Sequence, residues 1–251
     1  MRYFVEIAYN GGAYHGWQIQ PNANSVQEEI NIAFSKYTRD IELTTTGCGR
    51  TDTGVHATQF YLHFDTDFLF DESKFEYRTN VILPGDITVK RIFRVNEEFH
   101  SRFYAKTRTY QYFINQAKDP FQKDFQYRFG NELDLVKMNE ACQHLLNETD
   151  FTSFSKVNTE TFTNNCDISN ALWKRENEVL IFEITANRFL RNMVRAIVGT
   201  FLEVGTGKIT PDNFKQIIDE KDRGKAGTSA PAKGLFLTEV SYDWSESSLP
   251  K

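Results

Sequence analysis

Hydrophobic and polar positions change period several times along the 251 residues, and each change marks an element. From Arg2 to Tyr9 the period is two, with Tyr3, Val5 and Ile7 on one side. The run ends at Asn10, Gly11 and Gly12, a turn signal, so a strand is predicted. Ser25 stands three residues before Glu28, the spacing of a capping box, and Val26, Ile30, Ala33, Phe34 and Tyr37 recur at helical intervals. An amphipathic helix follows from this. The β-branched stretch from Ile41 to Thr46 predicts a strand leading into Gly49, after which Phe60, Leu62 and Phe64 alternate with Tyr61, His63 and Asp65. A helix over about 72–82 is stopped by Pro84 and Gly85, and Ile87 to Val95 reads as another strand.

The order strand, helix, strand, strand, helix, strand then repeats. Ser101 to Asn115 is strand-like, and Leu135, Met138, Cys142 and Leu145 predict a helix capped near Asp134. Ile168 to Lys174 and Val179 to Ala186 pair around a polar turn at Glu176 and Asn177. A helix beginning near Phe189 runs to Gly205, a short one covers Asp212 to Asp219, and Leu235 to Tyr242 closes as a strand. The prediction is an α+β fold of two ferredoxin-like βαββαβ halves, 1–98 and 99–251, forming a mixed, largely antiparallel sheet with a central cleft. Ser155 to Asn165 is expected to be a surface loop, and the tail after Trp244 to be frayed.

Composition narrows the class. The 40% hydrophobic and 25% charged content is that of a globular protein able to bury a substantial core. No apolar run approaches the roughly 18 residues of a membrane span, and the N-terminus lacks a signal pattern, so a cytoplasmic protein without a membrane partner is expected. Cys48, Cys142 and Cys166 form no CxxC pair, and His15, His56 and His63 lack ligand spacing; neither a disulfide framework nor a metal site is expected. A net charge of −5 argues against indiscriminate binding to polyanions while allowing a local basic groove.

Chemistry concentrates in a few stretches. Gly49 to Ala57, GRTDTGVHA, sets Asp52 between Arg50 and Gly54 in the connection between two strands. Glycines allow close backbone approach to a ligand, and a neighbouring guanidinium favours an ionised carboxylate, as a nucleophile or general base requires. An Asp accepting hydrogen bonds from its own turn gives the same pattern. In the predicted strand from Ser101, Arg102, Tyr104, Lys106, Arg108, Tyr110 and Tyr112 share one face. That mixture suits holding phosphates and stacking bases, or else packing under a helix. Arg188, Arg191 and Arg195 fall on one helical stripe near a helix start, where cations oppose the macrodipole; compensation comes from carboxylates or from phosphate. Gly227 to Leu235, GTSAPAKGL, is a loop of small residues suited to close substrate approach or to a plain turn.

In order, HGWQIQPN at His15 to Asn22, GRTDTGVHA, RTYQYFI at Arg108 to Ile114, FLRNMVR at Phe189 to Arg195 and APAKGL at Ala230 to Leu235 resemble the tRNA pseudouridine synthase A family over nearly the whole chain. The departure is Thr53, where many members carry alanine. The resemblance implies a homodimer that isomerises uridine to pseudouridine in the anticodon stem and loop of tRNA, without cofactor or metal. It makes the cleft an RNA-binding one and Asp52 the catalytic residue, adding to C6, attacking C1′ or removing the 2′ proton. It implies that Tyr110 stacks on the flipped base, and that Arg50 pairs with Asp52 or fills the space the base leaves. By the same resemblance Arg195 positions Asp52 while Lys106 and Arg191 meet phosphates. Two rival readings compete with this one. Asp52, Thr53 and Gly54 also spell the DTG of aspartic proteases, but no second DTG exists, apolar strand residues do not precede it, and Arg50 opposes carboxyl protonation. A non-catalytic RNA-binding module would explain the basic face but has no need of a carboxylate in a phosphate groove.

Overall fold

The computed structural model describes residues 1–156 and 162–248. They form two compact units, Met1–Lys106 with Leu237–Lys251, and Thr107–Phe236. The first contains β1 (Arg2–Tyr9), α1 (Val26–Thr38), β2 (Thr46–Gly47), β3 (His56–Asp65), α2 (Glu72–Ile82) and β4 (Ile87–Val95). β1 lies between β4 and β3, antiparallel to both, and β2 pairs with β3, which gives the ferredoxin-like arrangement. Alternation in β1 sends Tyr3, Val5 and Ile7, all fully buried, to the helical side. There Tyr3 stacks on Phe64 and Phe70, while Phe34 and Phe75 of the two helices close on Phe64. Each such ring contributes roughly 1.5–3 kcal/mol by leaving water, more than a typical helix cap. The Ser25 cap is present nonetheless, accepting from Glu28 N–H at 3.3 Å.

The other face of this sheet carries Phe4, Glu6, Tyr61 and His63. Glu6 is buried and keeps its charge satisfied by Arg91 Nε at 2.7 Å and the Tyr61 hydroxyl at 2.9 Å. The Arg91 guanidinium lies 5.2–5.9 Å from the ring centroids of Phe93, Tyr61 and Trp244. Trp244, 38% exposed, covers the rim of this face, and the described residues after it are held: Trp244–Ser247 form a 3₁₀ turn, and Asn96 N–H donates to the Ser247 carbonyl at 3.1 Å. The expected fraying after Trp244 does not occur as far as Ser248. The expected loop Ser155–Asn165 lies partly outside the described residues.

The second unit holds most of β5 (Ala105–Asn115), then β6 (Tyr127–Arg128), α3 (Leu135–Leu146), β7 (Ile168–Glu176), β8 (Val179–Ala186), α4 (Met193–Gly205) and α5 (Pro211–Glu220). β8 runs antiparallel between β5 and β7, and β6, which the sequence pattern does not announce, pairs in parallel with the end of β5. Phe182 stacks on Trp173, Phe201 of α4 meets Phe182 at 5.1 Å, and Phe214 of α5 stacks on Phe201 at 4.6 Å. The closing strand β9 (Leu235–Tyr242) returns the chain to the first unit, where it lies beside β3. No helix among the described residues is long and apolar enough to cross a membrane.

Three sequence expectations shift. The strand expected over Ile41–Thr46 shrinks to Thr46–Gly47, because the Thr45 backbone is bound to α1 side chains: Asn31 accepts from its N–H and Gln27 donates to its carbonyl. The strand expected from Ser101 begins at Ala105. The helix expected from Phe189 begins at Met193, after Asn192 in a left-handed conformation at φ 65°.

His63 on β3 is buried with its Nδ1 accepting from Ser101 N–H at 3.2 Å, while the Ser101 hydroxyl donates to the Thr46 carbonyl at 2.8 Å. The Ser101 hydroxyl oxygen also lies 2.9 Å from Nδ1, so both polar atoms of Ser101 that face the ring are engaged with it. Burial lowers the pKa of His63 from 6.5 to about 3, reinforced by Arg2 and His100 and opposed by Asp65. The folded value lies below the unfolded one, so the neutral ring's contribution is complete above pH 6.5 and is lost as pH falls from 6.5 towards 3. Stability should decline by about 2 kcal/mol between pH 6.5 and 5 from this group. In urea titrations His63→Asn, which retains an acceptor near the Nδ1 position, should flatten that decline to the share of His100, whose pKa burial also lowers. An unchanged slope in the variant would refute the assignment.

Candidate active site

Asp52 lies in the connection between β2 and β3, half-buried, and its neighbours are fixed to the first turn of the chain. Trp17 N–H donates to the Thr51 carbonyl at 3.2 Å, Gly54 N–H to the Tyr14 carbonyl at 3.2 Å, and Val55 N–H to the Asp52 carbonyl at 3.1 Å. Gly16 makes the approach possible. It has φ +94°, and a Cβ there would stand 2.4 Å from the Thr51 carbonyl oxygen. Trp17, 2% exposed, packs its ring 4.2 Å from that of Phe60 and over Gly47. The HGWQIQPN run is thus the floor of the Asp52 loop, cross-tied by His15 N–H to the Asn24 carbonyl and Gln20 to the His15 carbonyl. Arg50 is exposed and, among the described residues, makes no ion pair with Asp52. Lys106, also in this unit, is ion-paired with Glu246 at 2.8 Å, which raises its pKa.

The second unit holds the other candidates. The proposed one-sided basic and aromatic face is divided: Arg102 and Tyr104 precede β5, and Tyr112 is fully buried, its hydroxyl donating to the Pro231 carbonyl at 2.7 Å. Arg108 and Tyr110, in the first half and at the middle of the strand, stay half-exposed. Tyr110 meets Phe189 edge-on at 5.2 Å, and Arg108 donates to the Asn187 carbonyl at 2.8 Å. The three arginines do not share a helical stripe, because only Arg195 lies within α4. Arg195 Nε donates to the Ala230 carbonyl at 2.7 Å, and Ala230 N–H donates back to the Arg195 carbonyl at 2.9 Å. Arg191 is exposed and accepts from Lys156 N–H through its carbonyl.

The small residues of GTSAPAKGL serve close approach to α4. A Cβ on Gly199 would stand 1.8 Å from the Thr228 carbonyl oxygen, and Gly227 N–H donates to Thr200 Oγ1 at 2.9 Å. Asn192 and Arg223 both donate to Ser229 Oγ, fixing the loop beside the start of the helix. These anchors are not legible in the sequence, because Asn192 is 37 residues from Ser229 and nothing in the spacing of Arg223, six residues before it, marks a bond; only the density of small residues signals a close contact. Among the described residues no group of three or more His, Cys, Asp or Glu side chains is placed to hold a metal ion.

The family model for tRNA pseudouridine synthase matches residues 141–243. The chain is also similar, over nearly its full length, to proteins named tRNA pseudouridine synthase A. It is 49% identical over 245 residues to that of Bacteroides thetaiotaomicron, with 96% of this chain and 90% of the relative covered. To that of Bacteroides fragilis it is 50% identical over 244 residues, with 96% of each covered, and to that of Bacillus subtilis 38% over 246, with 97% and 100% covered. The chain belongs to the tRNA pseudouridine synthase A family.

Gly199→Ala should destabilise the protein by about 3 kcal/mol or more, since backbone rather than a flexible side chain blocks the new methyl. Urea denaturation measures this, and a loss below about 1 kcal/mol would mean that the loop slides freely on α4.

Proposed function

We propose that this protein isomerises uridine to pseudouridine in the anticodon stem and loop of tRNA, with Asp52 carrying the chemistry, and that it works as a homodimer in the cytoplasm. The observation that carries the reading is a half-buried carboxylate on a backbone fixed at Thr51, Gly54 and Val55, in a chain 38–50% identical over almost its full length to proteins named tRNA pseudouridine synthase A. The reaction breaks the bond from C1′ to N1 and forms one from C1′ to C5; a proton leaves C5 and N1 gains one, with no change of oxidation state. A carboxylate fits any of three entries into it: addition to C6, attack on C1′, or removal of the 2′ proton.

A stacked uridine has to leave its helix before any of these, at a cost of a few kcal/mol. Tyr110, half-exposed, is assigned to stack on the uracil, a contact worth roughly 1–3 kcal/mol. Arg50, exposed beside Asp52, is assigned to the space the base vacates. Arg191 and Arg195 are assigned to the substrate's anionic groups, and Lys106 to a phosphate that displaces Glu246 from it.

Asp52→Asn should lower pseudouridine formation by roughly 10³ or more while the melting temperature and tRNA affinity hold. Mapping pseudouridine in unmodified tRNA incubated with each protein reads this directly, and a wild-type rate in the variant would refute the role. A wild-type protein that binds tRNA yet forms no pseudouridine would point to a non-catalytic RNA-binding module. Tyr110→Ala should reduce kcat/KM by about 5- to 150-fold, the stacking energy expressed as a rate. A collapse of its melting temperature would instead assign Tyr110 to packing.

A further inference from the structure

The hydroxyl groups of Tyr9 and Thr51 meet 2.9 Å apart in the interior of the first unit. Tyr9 is 4% exposed and Thr51 7%, so neither depends on bulk water. Phe and Val in their places would fill the same space without polar atoms to satisfy, so packing alone does not call for this pair. What the pair adds is direction: a hydrogen bond between two side chains fixes both torsions where apolar contact would leave them freer.

The backbone delivers Tyr9 to this contact. β1 is regular against β3 from Arg2 to Ile7, and the register shifts between Ile7 and Tyr9. A shift of this kind re-aims the side chain that follows it. The Tyr9 ring is then held edge-on to Phe60 at 5.7 Å and beside Trp17 at 6.4 Å. Thr51 is consequently fixed at two points, its carbonyl by Trp17 N–H and its hydroxyl by Tyr9, and Asp52 is the next residue. On the far side of Asp52, Gly54 N–H is tied to Tyr14.

We propose that Tyr9 and Thr51 are positioning residues for the reaction, their hydroxyl pair setting the direction in which Asp52 presents its carboxylate. This rests on the reading in which Asp52 carries the chemistry. Neither residue touches substrate in this account, so losing the pair costs turnover rather than binding.

The test is steady-state pseudouridine formation on unmodified tRNA by the full-length wild-type protein and by Tyr9→Phe, Thr51→Val, Thr51→Ser, the Tyr9→Phe/Thr51→Val double variant and Asp52→Asn, each below its melting temperature. Tyr9→Phe and Thr51→Val should each lower kcat about 10- to 100-fold with KM within about twofold, the size expected of a misdirected reacting group. Thr51→Ser, which keeps the hydroxyl, should stay near wild type. The double variant should be no slower than the slower single one, since both remove the same bond. Wild-type kcat in either single variant, a Thr51→Ser as slow as Thr51→Val, multiplicative losses in the double variant or an effect confined to KM would overturn the proposal. Should Thr51→Val fail to fold, Tyr9→Phe, which deletes one oxygen only, decides alone. An inactive Asp52→Asn beside a fully active Tyr9→Phe sinks positioning and leaves the role of Asp52 standing, whereas a fully active Asp52→Asn removes both.

Discussion

The approach of two backbones, Gly16 and Trp17 against Thr51, is the constraint on which the candidate site depends. A side chain at residue 16 would occupy the space of the Thr51 carbonyl, and φ +94° excludes most residues from the position in any case. With that contact made, the Trp17 ring is carried down onto Phe60 and Gly47, so the apolar core and the polar loop are set by one placement. The loop has no regular structure of its own between β2 and β3. Its order comes from hydrogen bonds to a turn nearly forty residues earlier in sequence, and from His63, Ser101 and Thr46 at the strand that precedes it.

Charge is distributed in a way that a net value of −5 conceals. Many cations are committed to carboxylates, as Arg2 is to Asp65, Arg91 to Glu6, Lys221 to Asp150 and Lys208 to Glu203. Most of these pairs are at the surface, where each contributes only a fraction of a kcal/mol. Their larger effect is on the electric field: a neutralised lysine does little to attract a polyanion, so the attraction left over is concentrated on cations that lack such partners. Arg50, next but one to Asp52, is one of these among the described residues.

Much of the fold was legible because period and punctuation agree in β1, α1, α3, β7 and β8, where alternation or three-four spacing meets a clear cap or turn. It failed where tertiary contacts overrule local preference. Ile41 to Thr46 has strand composition, yet Asn31 and Gln27 of α1 take the Thr45 backbone and leave two residues to pair. FLRNMVR has helical spacing, yet Asn192 takes a left-handed conformation that delays α4 and separates Arg188 and Arg191 from Arg195. Tyr112 shares its strand parity with Tyr110 but is covered by the segment of Pro231 and Gly234, a difference of burial along one face that alternation cannot register. At the site, GRTDTGVHA advertised Asp52. The contribution of Tyr9 was hidden, because at the end of a strand of core residues it reads as one more of them.

The return of β9 to the first unit has a consequence for how the molecule comes into being. Tyr242 and Trp244 pack on Phe4 and Tyr61, and the Tyr242 hydroxyl donates to the Ser101 carbonyl, so residues at opposite ends of the chain share one core. A nascent chain emerging at about 5–20 residues per second holds the first hundred residues, with one face of their sheet uncovered, while Thr107–Phe236 is still being made. Closing so long a loop adds little to the equilibrium cost, because that cost grows only logarithmically with length. It is paid in time instead. The unit that begins first on the ribosome is the last that can be finished.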